Sequence, residues 1–210
     1  MLVKLTVEEF CKELGSNSPA PGGGSVAALS GALGAELVAM VCGLSIGKKD
    51  LEPFNDLLAG ALQRAQDLSK SLLRRVDLDT EAFNAVMAAF KMPKQTDAEK
   101  TQRSEAIQKG YIEAIQSPLG TARECREVLT IAESLIGKSN PNALSDLGVA
   151  AQQAYAGLEG AIMNVRINIP ALKVEGFKSQ TQLEIGTLLE QGRKSNANVY
   201  DFVLGNIGKG

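Results

Sequence analysis

Apolar residues recur at helical spacing along most of the chain, and the longest run sets the scale of the fold. It passes through Phe54, Leu57, Leu58, Leu62, Ala65, Leu68, Leu72, Val76, Phe83, Val86 and Phe90, a 3.6-residue stripe of the kind that buries one face of a helix. Asp50 is placed to cap this helix, with Pro53 in its first turn. Unbroken to Phe90 it would measure about 60 Å at 1.5 Å per residue, so a bend is expected within it. Period-two alternation is nowhere sustained, which argues against strands.

Capping residues divide the remainder. Thr6-Val-Glu-Glu9 is a capping box opening a short helix that stops near Gly15. Ser25 is placed as the N-cap of a helix from Val26 to about Gly47. Thr96-Asp-Ala-Glu99 opens another, to about Gln116, and Ser117-Pro118 starts the next, to Gly137. Asn140-Pro141 opens a helix to Ile169, stopped by Pro170, and a last, less regular helix runs from about Val174 or Ser179 to Val203. The prediction is one all-α domain over residues 1–210, built of long antiparallel helices in an orthogonal or up-down bundle.

Composition narrows the chemistry more than it narrows the fold. A net charge of −2 without a basic block gives no electrostatic case for nucleic acid. Aromatic residues at 4%, with no Trp, argue against a base-stacking surface. The three cysteines, Cys11, Cys42 and Cys125, are unclustered and read as reduced thiols of a cytoplasmic protein, with no metal site. Val26 to Ile46 is long enough to span a bilayer. Its mid-segment Glu36 and its many Ala and Gly residues favour a buried core helix, so no membrane partner is expected. Histidine is absent. Proton transfer therefore falls to Asp, Glu, Lys, Tyr or Cys.

Several stretches depart from plain helical patterning. In Ser18-Pro-Ala-Pro-Gly-Gly-Gly-Ser25, two prolines forbid helix and three glycines free the backbone. Such a segment is either a tight turn or a ligand loop whose unpaired amides face an anion or a carbonyl. On the long stripe Asp79 occupies a core-facing position, while Asp77 is expected to face away. A carboxylate there must find partners or hold its proton with a raised pKa, which makes Asp79 either a helix-end hydrogen-bonding group or a general acid–base. Gly157, Gly160, Asn164 and Asn168 lie beside the apolar stripe of their helix. Two amides at i, i+4 either bridge helices or read the edge of a heteroaromatic ring, because an amide offers both donor and acceptor. Asp146 suits a first helical turn, and Lys91 and Lys94 flank Pro93, where they either complement a helix end or hold a carboxylate tail.

Pro19-Ala-Pro-Gly-Gly-Gly-Ser-Val-Ala-Ala28, Val76-Asp-Leu-Asp-Thr-Glu-Ala-Phe83, Met92-Pro-Lys-Gln-Thr-Asp-Ala-Glu-Lys100, Ser117-Pro118, Asn142-Ala-Leu-Ser-Asp-Leu-Gly-Val-Ala150 and Asn164-Val-Arg-Ile-Asn168 together resemble, in order and spacing, the formiminotransferase-cyclodeaminase C-terminal family. The resemblance covers nearly the whole chain. It implies an all-α fold, a homodimer or higher homo-oligomer, and a folate one-carbon reaction at the N5–N10 bridge with no metal or other cofactor. The expected activity is conversion of 5-formimidoyl-tetrahydrofolate to 5,10-methenyl-tetrahydrofolate and ammonia. The alternatives are 5,10-methenyl-tetrahydrofolate cyclohydrolase, giving 10-formyl-tetrahydrofolate, and a folate-binding helical module without catalysis.

The resemblance implies Asp79 as the catalytic acid–base, the second Asp of the Asp-x-Asp-x-Glu-Ala-Phe pattern. Binding roles are expected, from the chemistry, for Pro21, Gly22, Gly23, Gly24 and Ser25 through backbone donors. Asp146, Asn164 and Asn168 are expected to orient the pterin or the one-carbon unit, and Lys94 to hold a glutamate or polyglutamate tail. Arg166 departs from the aliphatic residue usual in related sequences.

Overall fold

The computed structural model describes residues 1–208. Six α-helices account for most of them: α1 (Val7–Leu14), α2 (Gly23–Gly43), α3 (Asn55–Phe90), α4 (Asp97–Ser134), α5 (Leu144–Asn168) and α6 (Glu175–Asn206). Short 3-10 segments at Leu2–Lys4, Lys49–Phe54, Pro141–Ala143 and Ile169–Ala171 join or extend them, and no strand occurs among the described residues. The all-α prediction stands.

Helix α2 is the centre of the bundle, packed against α3, α4 and α5. It is long and apolar enough to cross a membrane, with a mean hydropathy of 1.8, yet over half of that apolar window is buried inside the fold. Its buried positions are mostly Gly and Ala, from Gly24 and Ala27 through Gly31, Ala32, Gly34 and Ala35. Small residues let the helix backbones approach closely. A Cβ on Gly157 of α5 would stand 2.7 Å from the Ala27 carbonyl oxygen and 3.0 Å from the Gly31 amide. One on Gly34 would meet the Ala150 carbonyl oxygen at 2.8 Å. These pairings run oppositely in the two helices, so α2 and α5 are antiparallel. Cys125 of α4 fills the same junction beside Gly31 and Gly157. Burial pushes the Cys42 thiol up to about 11 and that of Cys125 further still, so both stay protonated.

Both predicted capping boxes form, Thr6 with Glu9 and Thr96 with Glu99. The start of α2 differs from expectation: the helix begins at Gly23 with Gly22 as N-cap, and Ser25 lies inside the first turn. Ser25 is fully buried, and its hydroxyl donates to the Val76 carbonyl of α3 at 2.9 Å. A buried hydroxyl needs a partner, and the crossing helix supplies one in place of the cap. Helix α3 keeps its hydrogen bonding over 36 residues, and the irregular geometry falls before it, in the 3-10 turn containing Pro53.

Pro118 does not open a new helix. It lies inside α4, which runs unbroken from Asp97 to Ser134. Proline deprives the carbonyl four residues earlier of its donor, and that carbonyl, Ala114, instead accepts the Asn168 amide of α5 at 3.3 Å. At the other end of the bundle, Asn140 donates from Nδ2 to the Leu44 carbonyl and from its backbone amide to Ser45 Oγ. That tie fixes the end of α2 against the start of α5.

Two glycine substitutions separate these roles. Gly157→Ala should destabilise the protein by about 1–3 kcal/mol, because backbone must move to admit the methyl group. Gly60→Ala, on an open face of α3 where a Cβ meets nothing, should stabilise it by about 0.5–1 kcal/mol. Urea unfolding of the two variants checks both signs.

Candidate active site

The first turn of α2 carries amides that no helical carbonyl can reach. Val26 is the first to bond within the helix, to the Gly22 carbonyl at 3.1 Å, which leaves the amides of Gly23 and Gly24 without a helical acceptor and turns that of Ser25 to Asp79. The N-cap residue, Gly22, has no side chain to cap them.

Asp79 of α3 lies directly against this turn. A Cβ on Gly24 would fall inside the Asp79 carboxylate, so only glycine allows the approach. The Ser25 backbone amide favours the charged form of the same carboxylate, while the Ser25 hydroxyl proton goes to the Val76 carbonyl. Burial outweighs the amide and raises the Asp79 pKa above its ordinary value. Thr80 adds a hydroxyl 3.5 Å from Ser25 Oγ. It was not singled out from the sequence, although its place beside Asp79 and four residues after Val76 is the signal that finds it.

Asn164 of α5 flanks the other side. A Cβ on Gly23 would stand 3.4 Å from its Nδ2. One of its N–H groups is held by the Gly160 carbonyl at 2.8 Å, so a donor and the amide oxygen remain for a ligand. Asp79, Gly23, Gly24, Ser25 and Asn164 therefore share one surface, with Gly22 as its N-cap and buried Pro21 just before it.

The other expected site residues are placed differently. Asn168 uses its amide nitrogen on two carbonyls, Ala114 and Asn164, and so serves the α4–α5 junction at Pro118. Lys94 is exposed in the turn after α3, whose end lies about 16 Å along the axis from Asp79. Asp146 is half-buried in the first turn of α5, about 27 Å along that helix from Asn164. One chain does not bring Asp146 or Lys94 to Asp79. Arg166 is exposed near the C-terminal end of α5, where a cation complements the helix dipole. Asp77 does not simply face away: its Oδ1 accepts the Leu2 amide at 2.5 Å and pins the N-terminal 3-10 turn to α3.

A cavity of about 1000 Å³ lies at the opposite end of the bundle, lined by Lys48, Asn140, Asn142, Ser145 and Phe202 among others. It contains none of the groups around Asp79. Among the described residues no three His, Cys, Asp or Glu side chains gather where a metal ion could sit.

A raised pKa has a consequence for stability. The folded state holds the Asp79 proton to higher pH than the unfolded chain, so its contribution is full below the ordinary Asp range and is lost as pH rises through the folded value. Asp79→Asn removes that loss while keeping the shape and the acceptor. The variant should melt above the wild type at pH 7 to 8, with the difference shrinking toward pH 4, as read by thermal melts across pH.

Comparison with known proteins places this arrangement. The family model for formiminotransferase-cyclodeaminase matches residues 6–187. A methenyltetrahydrofolate cyclohydrolase of Methylorubrum extorquens is 41% identical over 202 residues, covering 96% of this chain and 97% of the relative. The formimidoyltransferase-cyclodeaminase of Rattus norvegicus is 34% identical over 206 residues, and this chain spans 37% of that longer protein. The crystal structure of a formiminotetrahydrofolate cyclodeaminase from Thermotoga maritima superposes with a TM-score of 0.88 at 25% identity, covering 98% of both chains. The chain belongs to the formiminotransferase-cyclodeaminase family.

Proposed function

We propose that this protein is a tetrahydrofolate one-carbon enzyme acting at the N5–N10 bridge, a formimidoyltetrahydrofolate cyclodeaminase that works without a metal or other cofactor. The observation that carries the reading is the Asp79 carboxylate, held partly desolvated against the free amides of α2 and flanked by Asn164. A carboxyl group whose pKa is raised by burial holds and returns a proton more readily than an exposed aspartate.

In the reaction, N10 attacks the carbon of the N5-formimidinium group, and Asp79 takes the N10 proton. The tetrahedral carbon then bears N5, N10 and an amino group. Asp79 returns its proton to that amino group, the C–N bond breaks, and ammonia leaves with the methenyl cation behind. The Gly23 and Gly24 amides hold the ligand's carbonyl or carboxylate oxygen, and Asn164 reads the pterin edge.

A second reading rests on a specific observation, the 41% full-length identity to a protein named methenyltetrahydrofolate cyclohydrolase. There, water adds to the methenyl carbon as Asp79 takes one of its protons, Asp79 returns that proton to N5 as the carbon–N5 bond breaks, and the remaining hydroxyl proton is released to solvent as the 10-formyl carbonyl forms. The substrate is a tetrahydrofolate with or without a polyglutamate tail, in a cytoplasmic homodimer.

The test is direct. Purified protein is mixed separately with 5-formimidoyl- and 5,10-methenyl-tetrahydrofolate while the methenyl absorbance is followed. Gain of absorbance with ammonia release assigns the cyclodeaminase, and loss beyond the buffer rate assigns the cyclohydrolase. Asp79→Asn should lower the observed rate by about 100-fold or more. Turnover by neither route, or an Asn variant as fast as the wild type, would sink the proposal.

A further inference from the structure

The flank of α3 that meets α2 continues past the point where α2 begins. Leu72 and Val76 face Gly31 and Ser25 of α2, and Asp79 lies against Gly24 in the first turn. Beyond Asp79, α3 runs on for eleven residues to Phe90. Phe83 and Met87 follow Val76 by seven and eleven residues, and Phe90 follows Leu72 by eighteen, all close to whole helical turns. These three therefore extend the α2-facing flank. Toward α4 the helix stays covered: Val86 and Ala89 are buried, and a Cβ on Gly110 would stand 3.2 Å from Val86. On the extended flank Phe83 is 36%, Met87 40% and Phe90 42% exposed. A chain with six phenylalanines and no tryptophan thus leaves two of them exposed, both beyond Asp79 on one flank.

We propose, on the folate reading of the site, that this flank holds the aminobenzoyl ring of the substrate and that the ring packs on Phe83. In a tetrahydrofolate that ring is bonded directly to N10, the atom whose proton Asp79 takes in the cyclodeaminase route. The ring then lies within about one helical turn of Asp79. Phe83 is the i+4 neighbour of Asp79, about 5–6 Å away between Cβ atoms. The pterin, on the other side of the N5–N10 bridge, falls toward Asn164. Two rings in offset or edge-on contact gain more than apolar burial alone.

The neighbours of Phe83 favour it over Phe90 for this role. Phe90 is already committed: its ring meets Tyr111 edge-on with centroids 6.2 Å apart. The Arg103 guanidinium stands 5.7 Å from the same ring and donates to the Phe90 carbonyl. Past Phe83, the glutamate arm of the substrate is directed over Met87 to the end of α3, where Lys91 and Lys94 are exposed and opposite in charge to its carboxylates. Acid–base group, aromatic ring, apolar side chain and cations follow one another along α3 in the order that the arm of a folate requires.

Affinity for a whole folate and for its pterin alone separates this flank from the rest of the site. The probes are 5-formyl-tetrahydrofolate and 6-methyl-tetrahydropterin, which lacks the arm. They are titrated by calorimetry into the wild type, Phe83→Ala, Phe83→Leu and Phe83→Tyr. Phe83→Ala should bind the folate about 10-fold more weakly and the pterin as well as the wild type does, with its helicity retained. Tyr should restore the folate affinity, and Leu only part of it. A packing role alone would weaken both ligands together or be met fully by Leu, and either result contradicts the proposal. Unchanged folate affinity in Phe83→Ala overturns it, and a lower sedimenting mass in that variant would then assign the flank to a contact between chains. A wild type that binds the folate no more tightly than the pterin overturns it whatever its activity. If neither folate is turned over while the affinity pattern holds, the functional reading fails and this assignment stands.

Discussion

A carboxylate lies against the first turn of the central helix, and that contact is possible only where the turn has no side chain. Asp79 sits where a Cβ on Gly24 would be, and the closeness it requires spreads through the bundle. For α3 to approach α2 so nearly, Ser25 must bury its hydroxyl on the Val76 carbonyl. For α5 to approach from the other side, Gly31, Gly34 and Gly157 must leave room for backbone. The low side-chain volume of α2 is thus a condition of the site as much as of the core. A helix of Leu and Ile would be equally apolar but would hold its neighbours about 8–10 Å away.

The same contact sets the chemistry. Two opposing effects act on Asp79: burial disfavours its charged form, and the Ser25 amide favours that form less strongly. The result is a carboxyl group able to carry a proton in a chain that has no histidine to do so. Acid–base work at a bridging carbon requires a group that exchanges one proton between two positions, and the fixed amides beside it bind oxygen at no cost in reorganisation. The family relation and this geometry point to one class of reaction by separate routes.

Much of this was legible from sequence because it depends on local chemistry. Thr6 and Thr96 form boxes with Glu residues three positions later, and no tertiary contact is needed to predict that. Asp79 stood out because a charge on an apolar stripe has few explanations. Pro118 misled because the Ala114 carbonyl that it leaves without a donor is satisfied by Asn168, a partner 54 residues away that local signals do not reveal. Ser25 misled similarly: a serine after three glycines is a good cap in isolation, but here the crossing helix takes its hydroxyl. Asp77 has a docking role that only the folded position of Leu2 makes visible.

The central claim is that Asp79 holds its proton above the ordinary carboxylate range because burial outweighs the Ser25 amide. The measurement that tests it most directly is the ¹³C shift of the Asp79 carboxyl carbon followed across pH, assigned by its disappearance in Asp79→Asn. A titration midpoint clearly above about 3.9, the value for an unperturbed aspartate, is the predicted result. A midpoint at or below that value would mean that the Ser25 amide and the helix dipole prevail, and the account would be contradicted.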